Sequence, residues 1–389
     1  MDFLINGVLR HLLLALIAAG VFYSLFALLC LQTGLRPKRK YTVNNLPPVS
    51  ILKPLKGTDP GLRENLISFC RQDYPEFEVL LGFLDENDEG VPVAKEVEIL
   101  FPDKVRLVIG GEEIGANRKV SNLHGLAKAA RYGMLAISDS DMRAGEDYLK
   151  TIVGEFISAG PEAGLVTSLY RISRPVSAGT ALESLTIAAD FIPSVMVARV
   201  VEGGISFGLG ASMLISKEAF EKTGGFRAIA DYLADDYQAG YRLTKKGYGV
   251  VLSGYVMEDV AGGTGLREYF LHQLRWARTY RASRPRGYLG YGVTHLLTYS
   301  LLFLVFWPGA LSSSLLLLAV LLRLLTVLLA RKKISLPARW LRWAVLLPVK
   351  DVISFGIWLW SFMGREVRWR GARFRVDGEG KLKRGRPIS

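Results

Sequence analysis

The stretch that decides the fold is MLAISDSD, at residues 134–141. Its first four residues are apolar, and a short apolar run of this kind, bounded by turn-forming residues, is typical of a strand buried on both faces. Asp139 and Asp141, separated by one serine, follow directly. In parallel α/β sheets ligands bind beyond the carboxyl ends of the strands, so these two carboxylates are predicted to lie at a ligand site.

The same arrangement recurs through residues 41 to 290. Predicted strands lie at 49–52, 78–83, 105–109, 134–138 and 164–168, and helical spacing of apolar residues occurs at 61–70, 91–100 and 122–132. This alternation predicts an α/β fold with a mainly parallel sheet and helices on both faces. The polar residues at the strand ends are then expected where a nucleotide binds. They are Pro54, Leu55 and Lys56 after the first strand, Asp85 after the second and Asp139 after the fourth.

Asp139 and Asp141 are the candidate metal ligands. Two carboxylates two residues apart can present oxygens to one hard divalent cation, Mg²⁺ or Mn²⁺, which then bridges the phosphates of a nucleotide sugar. Solvated turns also carry Asp-x-Asp, and the buried strand before Asp139 is what favours the metal site.

A second acidic pair, Asp235 and Asp236, precedes a predicted helix at 238–246. Acidic residues at a helix start often only complement the helix dipole. A glycosyl transfer with inversion, however, needs one carboxylate near the acceptor hydroxyl, opposite a cation on the leaving side. Asp236 is therefore the candidate general base, and Asp235 is placed on the acceptor side.

Two basic segments complete the candidate site. Arg118 and Lys119 lie at the start of a predicted helix, where they could hold phosphate together with the helix N-terminus or simply be surface cations. Arg275 and Trp276 lie on a predicted amphipathic helix at 267–283, which suits a membrane-surface helix with snorkelling arginines. A second reading assigns Arg275 to a diphosphate and Trp276 to the wall of an acceptor pocket.

Composition narrows the class of protein to which the chain can belong. The 389 residues are 50% hydrophobic and 22% charged, which excludes a disordered chain. Two cysteines exclude a disulfide framework and suit a reducing compartment. The net charge of +13 collects beside apolar segments, which favours anionic lipid headgroups over nucleic acid as partners.

Apolar segments flank the α/β region. Residues 12–31 carry no charge and precede a basic run at 36–40, so a membrane anchor with the following residues in the cytoplasm is favoured over a signal peptide. A second zone at 293–330, broken at Trp307, suits a helical hairpin. The third, 343–363, contains Lys350 and Asp351 and is predicted not to cross fully. The stretch 181–201 fits either a membrane-surface helix or a buried core helix.

Taken jointly, the motifs resemble those of the ceramide glucosyltransferase family, glycosyltransferase family 21, and of similar bacterial glycosyltransferases of hopanoid lipid synthesis. The resemblance spans about residues 49–280 and rests on ILKPLKG, the acidic run at Asp85, GANRKVSNL, SDSDMR, LADDY and HQLRW. It implies a GT-A fold, the fold of nucleotide-diphospho-sugar transferases, with N- and C-terminal membrane helices. It also implies that Asp85, Lys119 and Asp139 contact the donor. Asp141 then lies on the metal side and Asp236 is the base. Arg275 and Trp276 form the last motif of the family. Wider relatives usually carry Gln or Arg where this chain has His272, which we place on the acceptor side.

The predicted organisation follows from these segments. It comprises an anchor at 1–35, a cytoplasmic catalytic domain at 41–265, an interfacial helix at 266–290, membrane segments at 291–363 and a basic cytoplasmic tail at 364–389. The predicted function is an inverting, multi-pass enzyme of the cytoplasmic membrane that moves a sugar from a UDP-sugar to a lipid hydroxyl of ceramide, a hopanoid or diacylglycerol. One alternative is the transfer of an N-acetylglucosamine-type sugar to a hopanoid polyol. Another is a processive polysaccharide synthase, which needs a transmembrane conduit. A scaffold without chemistry and a transporter are disfavoured, because the carboxylates are present and the spans are few.

Overall fold

The apolar runs of the sequence form the strands of one eight-stranded sheet. A computed structural model of the chain describes residues 2–34, 46–369 and 372–384. The strands of the sheet are β1 (Val49–Pro54), β2 (Phe77–Phe83), β3 (Val105–Ile109), β4 (Met134–Ile137), β5 (Met142–Arg143), β6 (Ala163–Arg171), β7 (Met213–Ser216) and β8 (Gly249–Asp259). All five predicted strands are present, with small differences at their ends.

The strand order is β3-β2-β1-β4-β7-β6-β8-β5. Strands β1, β2, β3 and β4 are mutually parallel, and β6 is parallel to β8. Strand β7 runs antiparallel to β4 and β6, and β5 runs antiparallel to β8. The mainly parallel sheet expected from the sequence is confirmed, and the carboxyl ends of β1, β2 and β4 meet at one edge.

Helices cover both faces of this sheet and extend beyond it. They are α1 (Asp2–Gly34), α2 (Leu62–Cys70), α3 (Val91–Leu100), α4 (Arg118–Ala129), α5 (Tyr148–Ser158), α6 (Ala178–Thr186), α7 (Ile192–Val201), α8 (Lys217–Glu221), α9 (Asp235–Lys245), α10 (Leu266–Ser283), α11 (Pro285–Gly290), α12 (Leu296–Phe306), α13 (Ala310–Lys333) and α14 (Leu347–Ser361). A π-helical segment, Ile187–Phe191, joins α6 to α7, and short 3₁₀ segments lie at Phe226–Ile229, Tyr291–Thr294 and Ala338–Leu346.

The two hydrophobic cores follow from strand alternation. Successive residues of β1 point to opposite faces, so Ile51 packs with α2, α3 and α5, while Leu52 packs with α4 and α9. Both residues are fully buried, which explains why apolar residues occupy consecutive positions in this strand.

Several helices are apolar on surfaces that the protein does not cover. Within the described ranges, four helical stretches are long and apolar enough to cross a membrane, or five if one bent pair counts as a span. They are Asn6–Gly34, Ala178–Val201, Ala310–Lys333 and Ala338–Ser361, with Pro285–Thr294 and Leu296–Phe306 as the bent pair. Phe22 on α1 is 74% exposed and Leu317 on α13 is 60% exposed. The basic run at 36–40 lies outside the described residues.

The helix at Ala178–Val201 packs against α1 and α13, and Ile187, Ile192 and Met196 are buried in the core. The stretch at 181–201 therefore packs as a largely buried helix here. The prediction that 343–363 does not cross fully stays a prediction, since length and composition alone also allow a span at Ala338–Ser361.

The region predicted only as a basic tail contains a second sheet. Its strands are β9 (Glu366–Trp369), β10 (Ala372–Val376) and β11 (Leu382–Arg384), all antiparallel. Leu382 N–H donates to the carbonyl of Asp231 over 2.6 Å, and Leu233 N–H donates to the carbonyl of Gly380 over 3.3 Å. The small sheet is thus fastened to the loop that leads into α9.

Candidate active site

One cavity of about 960 Å³ opens at the carboxyl ends of the strands. Every residue that the sequence placed at the site lines it: Pro54, Leu55, Lys56, Asp85, Lys119, Asp139, Asp141, Asp235, Asp236, His272, Arg275 and Trp276. The topology explains this for the residues after β1, β2 and β4, because these strands are parallel neighbours and the loops after them start at the same edge.

The nucleotide-side loops are fixed by short backbone contacts. Leu55 N–H donates to the carbonyl of Gly82 over 2.8 Å, which holds the ends of β1 and β2 together. Asp85 Oδ1 accepts from Asn87 N–H at 3.0 Å and shapes the turn after β2. The predicted donor-side residues therefore lie in loops that follow hydrogen-bonded neighbouring strands.

Lys119 links the two acidic motifs. Helix α4 begins at Arg118, earlier than predicted, because the side chain of Asn117 caps it by accepting from Val120 N–H at 3.2 Å. Lys119 Nζ lies 2.5 Å from Asp139 Oδ1 and 3.7 Å from Asp235 Oδ2. Burial by itself would lower the pKa of Lys119, but Asp139 and Asp235 raise it above its ordinary value. Lys119 is therefore a permanent cation between the motifs.

Asp236 is held by two backbone donors. Its Oδ2 accepts from Gly210 N–H at 2.8 Å and its Oδ1 from Tyr237 N–H at 2.7 Å. Burial and the neighbouring Asp235 carboxylate raise the pKa of Asp236 to about 6, against a lowering effect of Lys119. A carboxylate with that pKa, oriented at two points, suits proton abstraction near neutral pH.

Gly210 separates the two sides of the reaction centre. A Cβ at this position would lie 3.2 Å from Asp139 Oδ2, 3.3 Å from Asp236 Oδ2 and 3.6 Å from Lys119 Nζ. The metal-side and base-side carboxylates thus approach one another across a residue that has no side chain.

Asp141 lies close to Asp259, a carboxylate that the sequence analysis did not identify. Its carbonyl accepts from Val260 N–H at 2.9 Å, and the next residue, Met142, pairs with Asp259 at the end of β8. Burial, then the charges of Asp141 and Glu183, raise the pKa of Asp259 well above its ordinary value. The sequence signal for Asp259 is the apolar run at 250–257, which is followed by two acidic residues. This run forms most of β8, a strand that the sequence analysis does not predict.

The carboxylates fit a cation that shares its ligands with substrate. No group of three or more His, Cys, Asp or Glu side chains within the described ranges is arranged to hold a metal. Asp139 and Asp141 nevertheless supply the hard oxygen donors that Mg²⁺ and Mn²⁺ take, and Mg²⁺ is commonly bound by one or two carboxylates plus substrate phosphates. The donor set therefore fits a metal that arrives with a nucleotide diphosphate.

Lys53 belongs to the strand-end cluster that the sequence places at the nucleotide, but its side chain is buried. Its ammonium group is fully buried at the end of β1, where it donates to the carbonyl of Asp139 and lies 3.9 Å from the centre of the Phe69 ring. Burial lowers the pKa of Lys53 to about 7, although Asp141, Asp139 and Asp59 act to raise it. This lysine therefore supports the backbone at Asp139 through that hydrogen bond.

Helix α10 places its motif against α6. His272 Nδ1 lies 2.6 Å from Glu183 Oε1, which explains why a histidine stands there. Trp276 packs against His272, Phe191 and Tyr170, at ring-centre distances of 4.9, 6.2 and 6.5 Å. The tryptophan thus forms an aromatic wall of the cavity, and its acceptor-side role stays a prediction.

The cavity continues from this wall into the apolar helices. Val195 and Ala198 of α7 and Ile357 and Trp358 of α14 line that end, together with Tyr291. The polar reaction centre and the helices long enough to span a membrane therefore share one continuous space.

Comparison with known proteins agrees with this architecture. The family model described as glycosyl transferase family 21 matches residues 12–382. Ceramide glucosyltransferases 1 and 3 of Caenorhabditis elegans are each 28% identical to the chain, over 241 residues (62% of this chain and 51% of the relative) and 243 residues (62% and 52%). The chain thus spans about half the length of the relatives it matches.

A solved structure shares the fold. A mannosyltransferase from Pyrobaculum calidifontis, in complex with GDP-Man and Mn²⁺, superposes with a TM-score of 0.55 at 19% sequence identity, covering 91% of this chain and 99% of that one. The expected GT-A fold is confirmed.

Proposed function

The chain belongs to glycosyltransferase family 21, and we propose that it is a membrane-bound inverting enzyme that transfers a sugar from a UDP-sugar to the hydroxyl of a lipid. The observation that carries this proposal is the single cavity in which Asp236 and Asp139 lie at one end and the apolar helices α7 and α14 at the other. A water-soluble acceptor has no need of such an opening.

Asp236 takes the proton of the acceptor hydroxyl. As that proton moves to Asp236, the hydroxyl oxygen forms a bond to the anomeric carbon from the face opposite the diphosphate, and the bond from that carbon to the diphosphate breaks. No covalent enzyme intermediate is needed, and the sugar inverts its configuration. The two backbone hydrogen bonds to Asp236 hold the carboxylate in one orientation while it takes up the proton and loses its negative charge.

Asp139 and Asp141 would hold Mg²⁺ or Mn²⁺, with the diphosphate of the donor supplying further oxygen ligands. When bound, the cation supplies positive charge that stabilises the departing diphosphate. Lys119 keeps Asp139 oriented at 2.5 Å, and Arg275 reaches the same cavity from α10. The solved mannosyltransferase of this fold, which contains GDP-Man and Mn²⁺, supports a nucleotide-sugar donor and a divalent cation here.

The acceptor enters between the apolar helices. Exposed apolar side chains on α1 and α13 support a membrane setting, since soluble proteins rarely leave long helices uncovered in this way. We place the catalytic domain, residues 41–265, on the cytoplasmic face, with the anchor at 1–35, the interfacial helix at 266–290 and the membrane segments at 291–363 around it. The basic region at 364–389 then faces anionic headgroups.

The ceramide glucosyltransferase relatives make ceramide the first acceptor to test. A hopanoid polyol that receives an N-acetylglucosamine-type sugar is the second, and diacylglycerol the third.

The test is a transfer assay on the full chain in detergent. A panel of UDP-sugars is combined with the three lipids and with Mg²⁺ or Mn²⁺, and products are identified by mass spectrometry and anomeric configuration. We expect one glycolipid with an inverted anomeric centre, abolished by a chelator and restored by added cation. UDP release without any glycolipid would exclude these lipid acceptors, and a retained anomeric configuration would exclude the mechanism.

A further inference from the structure

Arg284 lies at the break between α10 and α11. Pro285 follows it, and a residue before proline is driven out of the helical conformation, so α10 ends here. The backbone of Arg284 is nevertheless held on both sides. Its N–H donates to the carbonyl of Tyr280 and its carbonyl accepts from Tyr288 N–H, each over 2.8 Å. Two helices therefore fix the point from which the Arg284 side chain extends.

The Arg284 guanidinium joins two segments that are distant in the sequence. One is the α7–β7 loop, residues 202–212, where it donates to Ser206 Oγ at 2.7 Å and pairs with both carboxylate oxygens of Glu202. The other is the first turn of α9, where its Nε donates to the hydroxyl of Tyr237 at 3.2 Å. One planar cation thus connects the α7–β7 loop to α9.

Ring contacts add to this connection. The rings of Phe207, in the α7–β7 loop, and Tyr237 are stacked, with their centres 6.4 Å apart and their planes at 17°. The guanidinium carbon of Arg284 lies 5.2 Å from the centre of the Phe207 ring and 5.3 Å from that of Tyr237. A cation over an aromatic face is attracted by the electrons of the ring. The Arg284 side chain therefore holds the loop against α9 through charge, hydrogen bonds and stacking.

The same two segments supply both backbone donors of Asp236. Gly210 N–H, from the α7–β7 loop, donates to Oδ2, and Tyr237 N–H, from α9, donates to Oδ1. Gly208 N–H, also in the loop, donates to the carbonyl of Asp236 at 3.1 Å. The orientation of the Asp236 carboxylate thus depends on how the loop lies against α9, and Arg284 fixes that relation.

We propose that Arg284 is a positioning residue for Asp236: it clamps the α7–β7 loop against α9 and so keeps two N–H donors on the carboxylate that takes the acceptor proton. This inference rests on the proposed role of Asp236 as the base. It adds to the mechanism a residue that acts through the backbone around the base and touches no reacting atom.

A direct contact with the donor is the competing role for an arginine that lines the cavity. Each of the three side-chain nitrogens of Arg284 already has an acceptor within the protein, and Glu202 balances its charge. A diphosphate would have to displace these partners. The geometry therefore favours positioning over donor binding.

The experiment compares Arg284→Met with the parent, using the full chain in detergent. Methionine keeps an apolar stem but removes the charge and every donor. Hydrogen exchange followed by mass spectrometry over residues 206–212 and 236–238 reports on the Gly210 and Tyr237 amides, and we expect faster exchange at both. We also expect kcat to fall by about tenfold with an unchanged KM for the UDP-sugar, because a misdirected base slows proton transfer without weakening donor binding.

The pH profile separates positioning from a general loss of stability. Burial and Asp235 raise the pKa of Asp236, whereas Lys119 and the two backbone N–H groups lower it. Tyr280 of α10 also faces Asp236, but its pKa is raised by burial and by that carboxylate, so it stays neutral. Loosening the N–H groups in Arg284→Met raises the pKa of Asp236, and the acid limb of the rate moves to higher pH. A variant with less folded protein loses rate equally at every pH.

Arg284→Lys separates the clamp from the charge. Lysine keeps the positive charge near Glu202, but it lacks the planar fork that reaches Ser206 and Tyr237 together. We expect Arg284→Lys to show faster exchange and a displaced acid limb, as Arg284→Met does. A parent-like Arg284→Lys would assign the effect to charge alone and overturn the clamp.

Arg281→Met is the matched control. Arg281 lies one turn earlier on α10 and is half-buried like Arg284, but its guanidinium donates to the carbonyl of Gly364 at 2.6 Å, just before β9. We expect Arg281→Met to keep the exchange rate of the Gly210 amide and the acid limb of the parent.

Three outcomes decide between the explanations. Parent-like exchange at Gly210 and Tyr237 in Arg284→Met overturns the proposal. A lowered Tm with an acid limb at the parent position gives Arg284 a structural role only and also overturns it. An Asp236→Asn variant with the full kcat of the parent refutes the proposed base instead, and with it the mechanism that Arg284 would serve.

Discussion

Asp236 is the residue whose chemistry is most directly testable. Replacing it with Asn keeps the shape of the side chain but removes the proton acceptor, so we expect kcat to fall by about 100-fold or more. We expect the KM for the UDP-sugar to change little, because the proposed mechanism places Asp236 on the acceptor side. Initial rates measured with saturating lipid and varied donor check this.

The pH dependence of the parent provides a second readout of Asp236. Because burial and Asp235 raise its pKa to about 6, the group is protonated below that pH and cannot take a proton. The rate therefore rises as the pH increases through about 6. Asp103→Asn, a change at an exposed turn after α3, serves as the control and keeps both the rate and its acid limb. A parent profile that is flat from pH 5 to pH 8 would exclude Asp236 as the base.

Gly210 tests the approach of the two carboxylates. A methyl group there would press on Asp139 Oδ2 and Asp236 Oδ2 at 3.2 and 3.3 Å, which is closer than carbon and oxygen normally pack. We expect Gly210→Ala to lower kcat by about tenfold to 100-fold through misplaced groups, with a small change in Tm. Gly204→Ala, in the same loop but with open space around it, should behave like the parent in both measurements.

At the scale of elements, the C-terminal sheet acts on the loop before α9. Leu382 N–H donates to the carbonyl of Asp231, and β11 lies against this loop through the Tyr232–Lys381 bridge. Leu382→Pro removes the donor, so the loop that carries Asp235 and Asp236 loses one support. We expect faster hydrogen exchange at the Leu233 amide and a fall in kcat of about tenfold.

Leu382→Val is the control for this change, because it keeps the N–H group and an apolar side chain. Hydrogen exchange followed by mass spectrometry over residues 230–236 compares the two variants. Equal protection in Leu382→Pro and Leu382→Val would mean that β11 does not hold the loop.

At the scale of the whole molecule, four buried charges join three helices. Asp190 of the π-helical segment, Arg323 of α13, and Lys350 and Asp351 of α14 form a neutral network, with Arg323 bonded to both Asp351 oxygens at 2.6 and 2.8 Å. Lys350 and Asp351 are the charges that make the apolar zone at 343–363 ambiguous in the sequence. Their mutual pairing explains how they are tolerated inside packed helices.

Lys350→Met tests the network. The change leaves two buried carboxylates facing one arginine, and we expect the free energy of unfolding to fall by about 3–5 kcal/mol, since removing one member of a buried ion pair strands the other. Lys350→Met combined with Asp351→Asn restores the charge balance and should recover most of that loss. Chemical denaturation of purified protein in detergent measures both, and a double variant no more stable than Lys350→Met would contradict the charge-balance argument.

Much of the candidate site was predictable because its residues directly follow strands. Asp85 and Asp139 follow strand ends, and Lys119 lies at a helix start. Parallel pairing brings the carboxyl ends of the strands to one edge of the sheet, independently of the rest of the chain. Asp259 was missed for a related reason, because it ends a strand that the sequence did not predict. The sequence placed Lys53 at the end of the first strand, but it does not report that this side chain is buried.

The α/β fold, the edge of the sheet that carries the site and the acidic motifs at that edge all follow from the amino-acid sequence, because alternation of apolar residues and polar residues at strand ends are local properties. The pairing of groups across the site follows only from the folded chain: Lys119 with Asp139, His272 with Glu183, and the charges of three helices with one another. It also placed the C-terminal sheet on the loop before α9. The physical reason is that hydrogen bonds and ion pairs between distant segments depend on distances of a few tenths of an ångström, which are set by packing and not by spacing along the chain.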